Sequence, residues 1–319
     1  MKEIRVSKIN QGQRIDKFVR KFLSNAPLSF IYKLFRIKDV KVNGKRINKD
    51  YVLQDNDIIQ IYVSDKQLEE FNSTRLVVKT HQNLDIIYED QNILIVNKPS
   101  GLLVHGDEKE KRITLTNIVL NYLLDKGEFN VFDHTFVPAP CHRLDRNTSG
   151  LVIFAKNMES LHSLEELFKD KTQIQKEYLC LVAGRIEGSG KIDAPLFKDE
   201  KTKMVSVRSE LMGGKRALTY YQTQEVFSDC SLLKVQIVTG RTHQIRVHTA
   251  YIKHPILGDN KYGNFDLNKK FKMLYQYDNQ FLHAEQITFL EINGILSYLS
   301  NKTFTAKLPE KEMKIIQQI

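Results

Sequence analysis

His142 to Gly150 reads HRLDRNTSG and runs directly into the apolar segment Leu151-Val152-Ile153-Phe154-Ala155. A carboxylate, Asp145, therefore stands between two arginines in a polar loop that feeds a core strand. Reacting groups are commonly held on such loops by a rigid scaffold. Two later stretches add to this set. Lys176-Glu177-Tyr178-Leu179-Cys180-Leu181-Val182 alternates as a strand that puts Tyr178 and Cys180 on one face. A tyrosine in such a place is ordinarily a core residue with its hydroxyl satisfied at the edge. Leu232 to Val238 reads as another strand, and Thr239-Gly240-Arg241-Thr242 turns from it into HQIRVHTAYI. On that helix Ile245, His248, Thr249 and Ile252 share a face. Ile245 and Ile252 should point inward, with Arg246 beside them and able to reach around. A lone carboxylate, a phenol and guanidinium groups suit a reaction that needs no redox agent and no activated phosphate.

Other chemistries fit poorly. His243 and His248 lie five residues apart, on different helical faces, and no HExxH occurs, so no metal is expected. GSGKI at 188–192 fails as a phosphate loop, because Gly184 lies one position too far upstream and Ile192 stands where Ser or Thr should bind magnesium. HRLD is not the kinase HRD order, and Ser149 lacks the preceding glycine of a hydrolase elbow. A glycosidase would require a convincing second acid. No cofactor is expected.

The elements that position these groups follow from periodicity and turn chemistry. Leu84–Tyr88 and Ile93–Asn97 read as strands, closed by the bend Lys98-Pro99-Ser100-Gly101, from which Lys98 could face a phosphate. Leu115–Leu124 is helix-like, within a stretch from 106 to 140 expected to form a substrate-facing loop. Leu161, Leu164, Leu167 and Phe168 mark a helix after the Asp145 segment. Nearer the start of the chain, Ile15, Phe18, Val19, Phe22 and Leu23 make an amphipathic helix. Ser29 is expected to cap a second helix reaching about Lys38, with Ile31, Leu34 and Phe35 buried. Asn43-Gly44 between Val40-Lys41-Val42 and Lys45-Arg46-Ile47 signals a tight hairpin, and Asp57–Val63 a further strand.

Charge is uneven. Of a net +10, residues 1–63 hold 14 Lys or Arg against 6 Asp or Glu, whereas the remainder holds 34 against 32. The basic side chains Lys33, Arg36, Lys38, Lys41, Lys45, Arg46 and Lys49 gather on one helix and the adjoining hairpin, a geometry suited to the phosphates of folded RNA. Cys141, Cys180 and Cys230 form no CxxC pair, which favours a reducing compartment. MKEIRVSKIN lacks an apolar signal core and no apolar run is long enough for a bilayer, so a cytoplasmic protein is expected.

The HRLDRNTSG stretch closely resembles the active-site signature of the RluA-type RNA pseudouridine synthases. NKPSG, KEYL and GRTHQIRVH resemble further motifs of that family, in the family's order. Residues 13–63, through GQRIDKF, the SxIYKLxR helix and KVNGKRI, look like an S4 RNA-binding domain. The N-terminal similarity leans toward the RluC-like branch, which modifies large-subunit ribosomal RNA.

The resemblance implies an α+β protein in three parts. An S4 domain would span 1–63 and a linker 64–81. A catalytic domain would span 82–319, with a mixed, mainly antiparallel sheet split by a cleft. It implies isomerisation of uridine to pseudouridine in RNA, most specifically 23S ribosomal RNA, on a nucleotide turned out of its stem. Asp145 would be the catalytic carboxylate, Arg246 its partner and Tyr178 the active-site tyrosine. Arg143 would fill the vacated stack, with His142, Arg241, Ile245 and Lys98 also toward the substrate. His283, in FLHA, matches a family segment and could equally be structural. RNA is the expected partner and the chain an expected monomer. The competing reading is a non-catalytic RNA-binding or ribosome-assembly protein.

Overall fold

A computed structural model describes residues 1–71, 79–80, 82–106, 113–130, 136–170 and 172–319. The expected linker and the expected 106–140 loop therefore lie partly outside the described residues.

The first elements are β1 (Lys2–Arg5), α1 (Ile15–Phe22), α2 (Leu28–Arg36), β2 (Val40–Val42), β3 (Lys45–Arg46) and β4 (Ile58–Ile61). The strands form an antiparallel sheet in the order β1-β4-β2-β3. Ile15, Phe18, Val19, Phe22 and Leu23 are all buried, in one core with Ile31, Leu34, Val40, Val42, Ile59 and Ile61. Asn43 and Gly44 both take positive φ, 50° and 77°, as the two-residue hairpin requires. Ser29 does not cap α2. The helix begins two residues earlier than that cap would place it, at Leu28, with Pro27 at the N-cap and no side-chain cap.

The start of the expected linker is ordered. Ser64 and Gln67 make a capping box, in which Ser64 Oγ accepts the Gln67 N–H at 3.3 Å and Gln67 Oε1 accepts the Ser64 N–H at 3.0 Å. It opens α3 (Asp65–Phe71), whose Leu68 and Phe71 pack against the N-terminal core.

The rest comprises β5 (Ile86–Glu89), β6 (Ile93–Lys98), α4 (Leu115–Asp125), β7 (Ala139–Pro140), β8 (Ser149–Ala155), α5 (Met158–Lys169), β9 (Ile174–Ala183), β10 (Ser189–Asp193), β11 (Leu196–Lys198), β12 (Val205–Val207), β13 (Leu218–Val226), β14 (Cys230–Ile237), α6 (Gln244–Tyr251), α7 (Phe265–Tyr275), β15 (Leu282–Phe289), β16 (Thr303–Thr305) and α8 (Glu310–Gln318). Ten of these strands form a single sheet with the path β10-β13-β14-β9-β15-β8-β6-β5; β7 pairs with β8 and β16 with β15. Pairing is antiparallel except where β15 meets β8, through His283↔Ser149 and Ala284↔Gly150. The α+β class and the mixed, mainly antiparallel sheet expected from the sequence are thus observed.

Strands β6 and β8 are apolar without alternation because both their faces are covered. Leu94, Val96, Val152 and Phe154 enter one core, and Ile93, Ile95, Leu151 and Ile153 enter another on the opposite face. The short parallel join depends on glycine. Gly150 has φ +111°, and a Cβ there would lie 2.2 Å from the Ala284 carbonyl oxygen. No helix among the described residues is long and apolar enough to cross a membrane.

Candidate active site

Asp145 lies in the loop that enters β8, immediately before this join. Its Oδ2 accepts a hydrogen bond from Arg246 Nη1 at 2.8 Å. Arg246 projects from α6, is 7 % exposed, and does not merely reach around the helix as its sequence position suggests. Residues 244–249 are all buried, so the helix has no solvated face at this end. Gln244 anchors its start. The side-chain amide donates to the Leu218 carbonyl at 3.0 Å and to Thr219 Oγ1 at 2.9 Å. Its Oε1 accepts from Thr239 Oγ1 and the Arg241 N–H, at 2.6 and 3.0 Å.

A second carboxylate, absent from the sequence reading, holds the other edge of Arg246. Asp259, 1 % exposed, accepts Nε at 2.7 Å and Nη2 at 2.8 Å. It also accepts the N–H groups of Lys261 and Tyr262, at 2.8 and 3.1 Å. Burial alone would raise the Asp259 pKa, but the bonds and charge of Arg246 hold it below the ordinary carboxylate value. Burial likewise opposes the Arg246 charge, and Asp259 first, then Asp145, more than restore it. The Tyr262 ring lies 5.1 Å from the guanidinium carbon. The bidentate pair fixes the guanidinium plane, and the remaining nitrogen then points at Asp145.

His243 completes this side. It takes the left-handed conformation, φ 54°, just before α6. Its Nδ1 lies 2.7 Å from the Tyr262 hydroxyl, which accepts the Val205 N–H at 3.0 Å. Burial pushes the imidazole pKa down, against the pull of Asp145. Its other ring nitrogen, Nε2, lies 3.7 Å from Asp145 Oδ2. Arg246 and His243 thus both approach Oδ2, and no hydrogen bond reaches the Asp145 side chain at Oδ1 among the described residues.

Tyr178 sits on β9 between Val235 and Ala284 and is buried. Burial, then Asp145, pushes its hydroxyl well above the usual phenol range, so the ring stays protonated. Asp145, Tyr178, Arg246, Arg143, Arg241 and Ile245 line one open cavity of about 80 Å³, with Leu282, His243 and Thr148. Arg143 is exposed at its edge, and Arg241 donates through Nε to the Arg216 carbonyl at 3.0 Å.

Two residues expected to face the substrate do not. Lys98 is fully buried, and its ammonium donates to the carbonyls of Pro99, Leu102 and Arg146 at 2.9, 2.7 and 2.9 Å. Burial pushes its pKa down to about 7, against the attraction of Asp145. Three acceptors favour the charged form, because a neutral amine has two protons to give. Lys98 thus ties the NKPSG bend to the residue after Asp145, and no donor is left for a phosphate. His142 points away from the cavity. Its Nε2 accepts the Ile153 N–H at 3.2 Å, its ring packs on Phe168 at 4.8 Å, and burial, with Lys176, pushes its pKa down to about 3. A neutral acceptor locked to β8 has a structural role. His283, buried between Ser149 Oγ at 2.9 Å and the Ala306 carbonyl at 3.1 Å, is structural too.

On α2, the β2–β3 hairpin and the turns beside them, Lys33, Arg36, Lys38, Lys45, Arg46 and Lys49 are exposed and Lys41 half-buried. Lys41 lies 4.7 Å from the Tyr62 ring and Lys49 5.6 Å from the Tyr32 ring, interleaving charge with exposed aromatic faces.

Fold and sequence together define an isomerase of the RNA base-modifying class. The profile of the RNA pseudouridylate synthase family matches residues 92–251. An RNA pseudouridine synthase of Mycoplasma capricolum is 36 % identical over 303 residues, spanning 93 % of this chain and 94 % of that one. A ribosomal large subunit pseudouridine synthase C of Vibrio parahaemolyticus is 38 % identical over 282 residues, 87 % of this chain and 85 % of that one. The solved structure of human RNA pseudouridylate synthase domain containing 4 shares the fold, with a TM-score of 0.56 at 23 % identity over 73 % of this chain and 93 % of that one. The chain belongs to the RNA pseudouridylate synthase family and is an RNA pseudouridine synthase.

Proposed function

We propose that this enzyme converts uridines of large-subunit ribosomal RNA to pseudouridine, with Asp145 as the acting carboxylate. The bond from Arg246 to Asp145 carries this reading, because it turns a loop carboxylate into a group of fixed direction, with Oδ1 not hydrogen-bonded among the described residues. The ribosomal target rests on the relatives named for the large subunit. In the reaction the C1′–N1 bond of uridine breaks, the uracil turns, a C1′–C5 bond forms, C5 gives up its proton and N1 gains one, so that substrate and product are isomers. Asp145 acts on the nucleoside while these bonds exchange. Most of its advantage is orientation, since a held carboxylate meets the reacting carbon without searching for it. Tyr178, kept protonated, packs its ring against the uracil and has a proton to donate; it is not a phenolate base. Ile245 supplies apolar wall.

A uridine inside a stem is out of reach, so the target nucleotide must leave the stack. Arg143, exposed at the cavity edge, suits the vacated space through its planar guanidinium. Residues 1–63 act as an S4-type reader, with Lys33, Arg36, Lys38, Lys41, Lys45 and Arg46 on phosphates, ahead of a connecting segment at 64–81 and a catalytic domain at 82–319. The enzyme works as a monomer in the cytoplasm, where the free cysteines stay reduced.

Asp145→Asn tests the assignment. Pseudouridine formation on ribosomal RNA should disappear while RNA affinity stays within about twofold, since the exchange keeps shape and removes a charge that phosphates do not seek. Turnover at the unaltered rate would defeat it.

A further inference from the structure

A second cavity, of about 270 Å³, lies between the β11–β12 hairpin and the turn at Gly240–Thr242. Arg241 lines both cavities, so the two share a wall. Phe197 lines it from the hairpin, and Lys198 and Lys215 stand around it with Glu200. Lys198 is already bridged to Glu200, at 3.0 Å. Lys215 is not: neither its ammonium nor the Arg241 guanidinium makes an ion pair among the described residues. Both are nevertheless fixed at their bases. Lys215 exchanges backbone hydrogen bonds of 2.9 Å with Leu196 in each direction, and Arg241 is held through Nε by the Arg216 carbonyl. The hairpin itself is tied to the active site, because the Tyr262 hydroxyl that touches His243 also accepts the Val205 N–H. The second cavity therefore keeps a set position relative to Asp145.

We propose that this cavity receives the nucleotide next to the target uridine, with Lys215 and Arg241 clamping the phosphodiester that joins the two. This rests on the site reading above. A uridine seated over Asp145 must pass its backbone out of that cavity, and Arg241 stands where the two cavities meet. A phosphodiester carries one negative charge, and a lysine point charge with an arginine fork is a common way to hold it. The volume is at the low end for ligand pockets, the scale of a single nucleoside rather than a length of helix. The subsite would make turnover depend on the chain flanking the target, independently of the N-terminal basic surface.

The test pairs one phosphate with one side chain. RNA substrates carry a neutral methylphosphonate at either linkage flanking the target, and KM and kcat are measured for the wild type and for Lys215→Gln. In the wild type, one of the two neutral linkages should raise KM roughly tenfold, the size expected for losing a charge-assisted hydrogen bond. Lys215→Gln should raise KM on native RNA by a similar factor, and the neutral linkage should then add under threefold. Its kcat should stay within about twofold, and the slope of log KM against log salt should fall by about 0.7, one single-strand phosphate contact. Indifference of the wild type to both linkages overturns the proposal. So does a penalty in Lys215→Gln as large as that in the wild type. Either result leaves the Asp145 assignment standing, because that depends on the separate loss of turnover in Asp145→Asn.

Discussion

Asp259→Asn is the most informative perturbation of this active site. Asp259 never needs to touch RNA; it is 1 % exposed and lies behind Arg246. Replacing one oxygen by an amide nitrogen turns one of two acceptors, at 2.7 and 2.8 Å, into a donor facing a donor, and removes the charge. Deleting one partner of a buried ion pair typically costs about 3–5 kcal/mol. Asp145, with its side chain 29 % exposed, remains as a second anion, which places the cost near the lower end, about 3 kcal/mol. For a domain of this size that lowers Tm by roughly 6–12 °C.

The kinetic effect is separate. With its bidentate anchor gone, Arg246 turns, and the 2.8 Å bond that directs Asp145 is lost or bent. Misplacement on the order of 1 Å can cost about 100-fold. Single-turnover formation of pseudouridine, followed by tritium release from uridine labelled at C5 and run well below the variant's Tm, should therefore fall roughly 100-fold, while KM changes under about threefold. Acid weakens the wild type in a corresponding way. The folded-state pKa of Asp259 is depressed, so its stabilisation is complete above the unfolded value of 3.8 and is lost as pH falls through the lower folded value. The stability gap between wild type and variant, measured by urea unfolding, should hold from pH 7 to about 4 and narrow below that. A variant that folds less stably yet turns over at the wild-type rate would refute the claim that Asp259 aims Arg246.

Arg143→Ala should slow turnover about tenfold or more on a structured RNA stem, and by less than threefold on an unpaired oligonucleotide, if the guanidinium replaces a lost stacking contact. Equal losses on both substrates would contradict that role. Lys98→Met strips three carbonyls of the buried ammonium that ties them together and should cost about 2–3 kcal/mol, read as a fall in Tm. An unchanged Tm would mean that Lys98 does not secure the loop. Tyr178→Phe should leave the alkaline side of the pH–rate profile below pH 10 unaltered, because burial, then Asp145, holds the hydroxyl protonated there. A falling limb that vanishes in the variant would mark Tyr178 as a titrating base after all.

Much of the N-terminal unit was readable in advance. Asn-Gly enforces its hairpin locally, and the spacing of Ile15, Phe18, Val19 and Phe22 defines a helix face without reference to anything distant. Asp145 was readable for a similar reason, since a polar loop before an apolar run is a local pattern. The capping box at Ser64 was just as local and was overlooked because it falls in a charged stretch with weak periodicity.

What the chain alone determined is the cast of reactive groups and the short elements that carry them, because propensity, turn chemistry and motif order act over a few residues. What folding decided is which of them meet. Asp259 is 114 positions from Asp145 along the chain, and no spacing rule links it to Arg246. Lys98 and His142 were expected toward the substrate yet are spent on backbone acceptors and a backbone donor. Those outcomes depend on where a two-residue parallel join brings β8 against β15, and burial, charge pairing and direction exist only once that sheet is assembled.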